Sequence, residues 1–201
     1  MSLSIEEIMC SFQLSEPQPY DETSLIRVSH LTSSKLRQAA VLIGFVERNN
    51  EAHVLFTKRA LHLKHHPGQV SFPGGKFEQH DGAVIRTALR ETEEEVGVTS
   101  DKIHVFGTLP TLTTISGFAV TPVLAKLDDT FSVTIDTNEV SDVFEVPGSY
   151  LFDRQNLLVK ELVVRSQQHR LFFLPYKEHL IWGVTGQIID ALQRQFLNLT
   201  S

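Results

Sequence analysis

Cysteine is almost missing from this 201-residue sequence, which contains only Cys10. A single cysteine cannot form an intramolecular disulfide and leaves no cysteine-rich zinc site, as expected of a chain in a reducing cytosol. We therefore interpret Cys10 as a buried or bystander thiol rather than as a catalytic nucleophile.

Long apolar segments and an excess of basic charge are missing as well. The longest continuous apolar run, residues 39–46, is too short to span a bilayer, and the acidic N-terminus lacks the basic flank of a signal peptide. The net charge of −6 argues against nucleic acid and anionic membranes as partners, because both need a basic face. We expect a cytoplasmic protein, a monomer or a homodimer, that binds a small molecule.

The pattern of apolar segments predicts an α+β fold in which a mixed β-sheet lies between helices. Residues 1–37 read as an accessory arm packed on a main domain of residues 38–201, and the arm begins with helical spacing at 5–12. The turn pair Asn49-Asn50 predicts a hairpin between strands at 39–47 and 52–58. Further strands are predicted at 103–109, 119–127, 131–135, 143–146 and 171–174, and a last helix at 180–192.

The densest chemical signal is the stretch SFPGGKFEQHDGAVIRTALRETEEEVGV, residues 71–98. Asp81 is a candidate N-cap for a helix over residues 83–96, and Gly97 stands where a left-handed C-cap would end it. Helical spacing places four residues on one stripe that would face a core: Ile85, Leu89, Thr92 and Val96. Three acids then fall on the opposite side: Glu91, Glu94 and Glu95.

Glu91, Glu94 and Glu95 repel one another, at a cost of about 0.2–0.5 kcal/mol for each pair on an exposed helix. A bound divalent cation reverses the sign of that interaction, and Mg²⁺ or Mn²⁺ prefers oxygen ligands. Such an acidic run is more often a solvated helix face, so its surroundings decide between the two readings. Arg90 precedes Glu94 by four residues and could hold it in place.

A basic segment with several glycines precedes this helix, LFTKRALHLKHHPGQVSFPGGK at residues 55–76. Glycine lets backbone N–H groups approach phosphate oxygens closely, while arginine and lysine bind phosphate by charge. On an acidic protein this segment is a local basic patch. The candidate substrate-binding residues are Arg59, Lys64, His66, Gly68, Gln69, Gly74 and Gly75.

Together these motifs resemble the Nudix box, G-x5-E-x7-R-E-U-x-E-E-x-G-U, where U is apolar. Gly75, Arg90-Glu91, Glu94-Glu95 and Gly97-Val98 match it, whereas Asp81 stands in place of the first Glu, one residue is inserted before Arg90, and Thr92 occupies an apolar position. The resemblance implies a Nudix-type α/β/α sandwich with Mg²⁺ or Mn²⁺ as cofactor. It also implies Glu91, Glu94 and Glu95 as metal ligands.

The segment before the box is similar to the signature of the coenzyme A pyrophosphatase branch of that family, L-L-T-x-R-[SA]-x3-R-x3-G-x3-F-P-G-G. Its spacing is kept, although Lys64 replaces the second Arg. The resemblance implies metal-dependent hydrolysis of coenzyme A and its derivatives to 4′-phosphopantetheine and adenosine 3′,5′-bisphosphate. ADP-ribose or another nucleoside diphosphate derivative is the alternative substrate class, and a catalytically inactive Nudix ligand sensor is the alternative to an enzyme.

The resemblance also implies catalytic roles for Arg90 and Glu94 within the helix. A further acid from a loop after the box often serves as base in Nudix enzymes. Glu139, which follows the turn-prone segment 136–138, is our candidate for that role, with Glu145 as the alternative.

Overall fold

In the computed structural model, which describes residues 3–28, 31, 35–164 and 167–196, helices cover both faces of a central sheet. The α-helices are α1 Ile5–Leu14, α2 Glu22–Val28, α3 Val84–Val96, α4 Gly148–Leu151 and α5 Val184–Gln195. The strands are β1 Arg37–Arg48, β2 Glu51–Arg59, β3 Val70–Ser71, β4 Gly74–Lys76, β5 Ile103–Thr108, β6 Leu112–Thr113, β7 Phe118–Leu127, β8 Val140–Pro147, β9 Leu158–Val164, β10 Gln167–Tyr176 and β11 His179–Trp182.

The central sheet is mixed, as the sequence predicts. Strand β1 runs parallel to β7 and antiparallel to β2 and β4, while β2 also pairs with β3 and β8. Strands β5 and β6 pair with β7, and β9, β10 and β11 form a second, antiparallel sheet. The first hairpin turns at Asn49 and Asn50, whose φ angles of 52° and 62° suit the tight two-residue turn that antiparallel strands favour.

Alternate residues of β1 serve the two layers of the sandwich. Ala40 and Leu42 pack in a cluster with Ala88 and Val96 of α3. The side chains between them, such as Ile43 and Phe45, pack in the other cluster, which includes residues of α1 and α5. Successive side chains of β1 therefore point to opposite faces of the sheet, and helices cover both faces. This is the predicted α/β/α sandwich.

The N-terminal segment contributes to the main core. Ile5 and Ile8 are fully buried, and the backbone N–H of Ala52 donates to the Leu3 carbonyl at 2.8 Å. The division into an arm at 1–37 and a main domain at 38–201 stays a prediction. Parts of both lie outside the described chain, namely residues 1–2, 29–30, 32–34, 165–166 and 197–201. Cys10 is exposed, which corrects the expectation of burial and leaves the bystander interpretation.

Two predicted elements are wrong. Residues 131–135 form no strand, because Phe131 packs into the core and the Thr134 N–H donates to the Val96 carbonyl at the end of α3. The predicted helix over 180–192 begins later, at Val184, because residues 179–182 alternate between buried and exposed and pair with β10. Among the described residues, no helix combines the length and apolar character needed to span a membrane.

Candidate active site

Helix α3 carries the acidic side chains, and its termini differ in part from expectation. Gly97 is the left-handed C-cap, with φ of 76°, as predicted. Ala83 is the N-cap residue, whereas Asp81 is the buried residue of an otherwise exposed 3₁₀ turn before the helix. The prediction of an Asp81 cap is therefore wrong, since the side chain is used elsewhere.

The buried face of α3 is also displaced from the predicted stripe. Ile85 is 39% exposed and Leu89 is only partly buried, while Thr92 and Val96 are buried as expected. Ala88 lies on the sheet, and the Thr92 hydroxyl donates to its carbonyl at 2.7 Å. The helix is thus turned so that small residues, rather than Ile85, approach the strands.

This rotation buries Glu95, which is 4% exposed and does not lie on a solvent face with the other acids. The sequence prediction that the three glutamates share the side opposite the core is wrong for this residue. The backbone N–H of Gly74 donates to its carboxylate, and Oε2 has no hydrogen-bond partner among the described residues. Burial, assisted by the charge of Glu91, raises the pKa of Glu95 to about 8.

Glu91 occupies the space that a side chain at position 75 would need. A Cβ on Gly75 would lie 2.3 Å from the Glu91 Oε1, so any larger residue would displace the carboxylate. Burial raises the pKa of Glu91, opposed by Arg90, whose guanidinium lies 3.0 Å from that oxygen. The glycine pair of β4 therefore lets two acids of α3 reach the strand backbone.

Arg90 connects the acidic groups at the edge of the site. Its Nε donates to Asp81 at 2.8 Å, and another nitrogen donates to Glu94 at 2.7 Å, as the four-residue spacing predicts. Hydrogen bonding from Arg90, with further donors from Thr87 and the Glu78 backbone, holds the pKa of Asp81 well below its ordinary value. The sequence interpretation missed this ion pair, although the displaced box position of Asp81 was a signal for it.

A loop brings a fourth carboxylate toward these acids. The N–H groups of Thr134 and Asp136 donate to the carbonyls of Val96 and Glu95, at 2.9 and 3.2 Å, which holds the loop on the last turn of α3. At the end of this loop, the charge of Glu139 contributes to the raised pKa of both Glu91 and Glu95, although burial is the larger cause.

Glu145, the alternative base, is engaged elsewhere. On β8 its carboxylate forms an ion pair with Arg48 at 2.8 Å, and Arg48 also donates to the Asp129 carbonyl. Glu139 is therefore the loop acid whose charge acts on Glu91 and Glu95. Its role as base stays a prediction.

The candidate substrate-binding residues divide into two groups. The charge of Arg59 lowers the pKa of Glu95, so its guanidinium lies within electrostatic reach of the acids. Lys64 is exposed on the loop between β2 and β3. Two clefts open beside Gly74-Gly75, and the described residues that border them do not include Arg59, Lys64 or Gly68.

Two adjoining clefts open beside the glycine pair of β4. The inner cleft, about 220 Å³, is bordered by Gly74, Gly75 and Lys76. The outer cleft, about 260 Å³, is bordered by Gln69 and Trp182. Four residues border both clefts and make them continuous: His66, Thr114, Ser116 and Val184.

Comparison with known proteins identifies the family. The NUDIX domain model matches residues 36–169, which contain α3, the glycine pair and the loop acid. The chain belongs to the Nudix family. An uncharacterized Nudix hydrolase, NudL, from Shigella boydii serotype 4 is 36% identical over 194 residues, which are 96% of this chain and 95% of the relative. NudL from Escherichia coli O1:K1 matches to the same extent.

Solved structures support the Nudix fold. A MutT protein from Methanosarcina mazei Go1 aligns with a TM-score of 0.54 at 14% identity and covers 85% of this chain and 99% of its own. A MutT/nudix family protein from Enterococcus faecalis aligns with a TM-score of 0.51 at 14% identity, over 98% of this chain and 70% of that protein. These comparisons confirm the predicted Nudix hydrolase and its fold, while the coenzyme A branch stays a prediction.

Nudix hydrolases generally use divalent ions such as Mg²⁺ or Mn²⁺, and the buried acids of this chain fit such an ion. Glu95 has a carboxylate oxygen without a partner, beside the partly buried Glu91, and hard cations prefer such oxygen donors. Within the described residues, no three His, Cys, Asp or Glu side chains already converge as ligands, and Glu94 is instead turned toward Arg90. Glu91 and Glu95 are thus the stronger candidates for ligands, with Glu94 next to them.

Proposed function

We propose that this Nudix hydrolase cleaves the diphosphate of coenzyme A and its derivatives, giving 4′-phosphopantetheine and adenosine 3′,5′-bisphosphate. The observation that carries the proposal is the position of the segment resembling the coenzyme A signature. Its Arg59 acts on Glu95, its Gly74 donates a backbone N–H to the same carboxylate, and its His66 borders both clefts. Arg59 and Gly74 of the segment therefore act on an acid of the Nudix box, and His66 borders the adjoining space.

The acids, the arginine and the glycine backbone have distinct tasks in this proposal. A divalent ion bound by Glu91 and Glu95 would neutralise diphosphate charge and activate water. Gly74 and Arg90 hold these two carboxylates in position, and Arg59 supplies positive charge for the diphosphate.

The reaction needs no covalent intermediate on the protein. Water adds to one phosphorus while the bridging P–O bond breaks, and the leaving phosphate retains the electron pair. Glu139 can accept the proton of the attacking water, because its carboxylate is close enough to Glu91 and Glu95 to raise the pKa of both.

A panel of diphosphates, incubated with the protein and Mg²⁺ and resolved by chromatography, tests this proposal. We expect kcat/KM for coenzyme A to exceed that for dephospho-coenzyme A and ADP-ribose by at least about tenfold, a gap that one charge-assisted hydrogen bond to the 3′-phosphate can supply. Equal rates on all three substrates would refute the coenzyme A assignment and leave Nudix chemistry standing. Absence of turnover on every diphosphate would favour a ligand sensor.

A further inference from the structure

The outer cleft differs in chemistry from the rest of the site. Ile115 and Trp182, which border it, are 60% and 44% exposed, so two large apolar side chains meet solvent at its rim. Leu171 and Val184 add further apolar surface. Among the described residues that border this cleft there is no Asp, Glu, Lys or Arg.

This lack of charge argues against binding of the nucleotide half of the proposed substrate in the outer cleft. The nucleotide half of coenzyme A carries a 3′-phosphate, which requires a cation nearby. Of the described residues that border the outer cleft, only His66 can carry positive charge, whereas Lys76 borders the inner cleft and Arg59 lies near Glu95. The outer cleft therefore suits an uncharged group.

The polar residues of the outer cleft suit the pantetheine half of the proposed substrate. Gln69 and Gln187 border it, and the Gln69 amide nitrogen lies against Gly183, 3.2 Å from the position of a Cβ there. Carboxamides can both donate and accept hydrogen bonds, as the two amide groups of a pantetheine arm require. The apolar rim beyond them can cover the thiol end or an acyl chain attached to it.

We propose that the outer cleft is the subsite for the pantetheine arm and its acyl group, with Trp182 and Ile115 as residues that determine acyl preference. The proposal rests on the proposed function, because it requires a substrate of this class. The continuity of the two clefts through His66 and Val184 places such an arm next to the diphosphate site.

Binding of the two reaction products separates the two halves of the site. Calorimetry with Mg²⁺ present would compare the parental protein with Trp182→Ala and Ile115→Ser. We expect each variant to weaken 4′-phosphopantetheine binding by about fivefold or more and to leave adenosine 3′,5′-bisphosphate within twofold. Leu180→Ala is the matched control, because Leu180 lies on the same strand and is 48% exposed but does not border the cleft.

Substrate kinetics provide the second measurement. Trp182→Ala should lower kcat/KM for a medium-chain acyl-coenzyme A about tenfold more than for ADP-ribose, which lacks the arm. If the parental protein hydrolyses coenzyme A but the variants weaken only the nucleotide product, or neither product, the subsite assignment is wrong. If the parental protein neither cleaves coenzyme A nor binds its products, the proposed function fails and the subsite proposal fails with it.

Discussion

Asp81 and Arg90 form an ion pair of 2.8 Å that joins the 3₁₀ turn before α3 to the helix itself. The Asp81 side chain is 2% exposed, and Arg90 forms further ion pairs with Glu91 and Glu94. The acid at the displaced position of the Nudix box therefore orients the arginine that holds the helical acids. A residue outside the helix thus contributes to the geometry of the site.

Removing this ion pair should destabilise the protein. We expect Asp81→Asn to lower the free energy of unfolding by about 2–4 kcal/mol, because a buried arginine contact and a bond from Thr87 lose their charged acceptor. Glu94→Gln is the control, since Glu94 is 58% exposed and its pair with Arg90 is worth only about 0.5 kcal/mol. Urea denaturation measures both, and equal losses would contradict the central role of Asp81.

Glu95, which is buried, and Glu91, which is partly buried, should both be essential for turnover. We expect Glu91→Gln and Glu95→Gln each to reduce kcat at least about a hundredfold with Mg²⁺, because each removes negative charge that the ion requires. The unfolding free energy of the metal-free protein should not fall, because glutamine is neutral and needs no buried charge at either position. Glu93→Gln, on the exposed side of the same helix, should retain parental activity. Near-parental kcat in the Glu91 or Glu95 variant would move the site elsewhere.

The protonation of Glu95 predicts how stability of the metal-free protein depends on pH. Its pKa is about 8 in the folded state and 4.5 ordinarily, so between these values the folded protein holds a proton that the unfolded chain releases. The contribution of this proton to the free energy of unfolding is fully present below pH 4.5. It is lost as the pH rises through 8, and the total loss is at most about 5 kcal/mol.

Chemical denaturation with chelator at pH 5 and pH 8 would compare the parental protein with Glu95→Gln. The variant should show the smaller fall in stability between the two pH values. Added Mg²⁺ should stabilise the parental protein more at pH 8 than at pH 5, because the ion binds the ionised carboxylate. The same pH dependence in parent and variant would show that Glu95 is ionised in the folded state.

The candidate base can be identified by comparing two glutamates. Glu139→Gln should reduce kcat by about a hundredfold or more with little loss of stability, because Glu139 is an exposed group near the buried acids. Glu145→Gln should leave kcat nearly parental and instead weaken the contact with Arg48. Steady-state kinetics and thermal unfolding distinguish the two, and the reverse ranking would assign the base to Glu145.

Two cations should differ in the part of the substrate that they bind. Arg59→Met should reduce kcat/KM equally for coenzyme A and dephospho-coenzyme A, because Arg59 lies near Glu95 and hence near the diphosphate. Lys64→Met should reduce kcat/KM about tenfold for coenzyme A alone, because we assign this exposed lysine to the 3′-phosphate. Equal effects of Lys64→Met on both substrates would assign Lys64 to the diphosphate as well.

Local patterns in the sequence determined much of this protein. The Asn49-Asn50 turn and the left-handed cap at Gly97 depend on neighbouring residues alone, and each has its predicted place. The family follows from the residues of the Nudix box. The continuous apolar run at residues 39–46 is typical of a strand buried on both faces, and in the structure its alternate side chains pack into two different clusters.

Only the tertiary structure decided which acid is buried and which groups meet. The helical pattern allows several rotations of α3, and contact with the glycine pair of β4 selects the one that buries Glu95 and exposes Ile85. The ion pair that engages Glu145 likewise involves Arg48, nearly a hundred residues away in the chain. Such contacts have no local signature in the chain, because they arise from packing between distant segments.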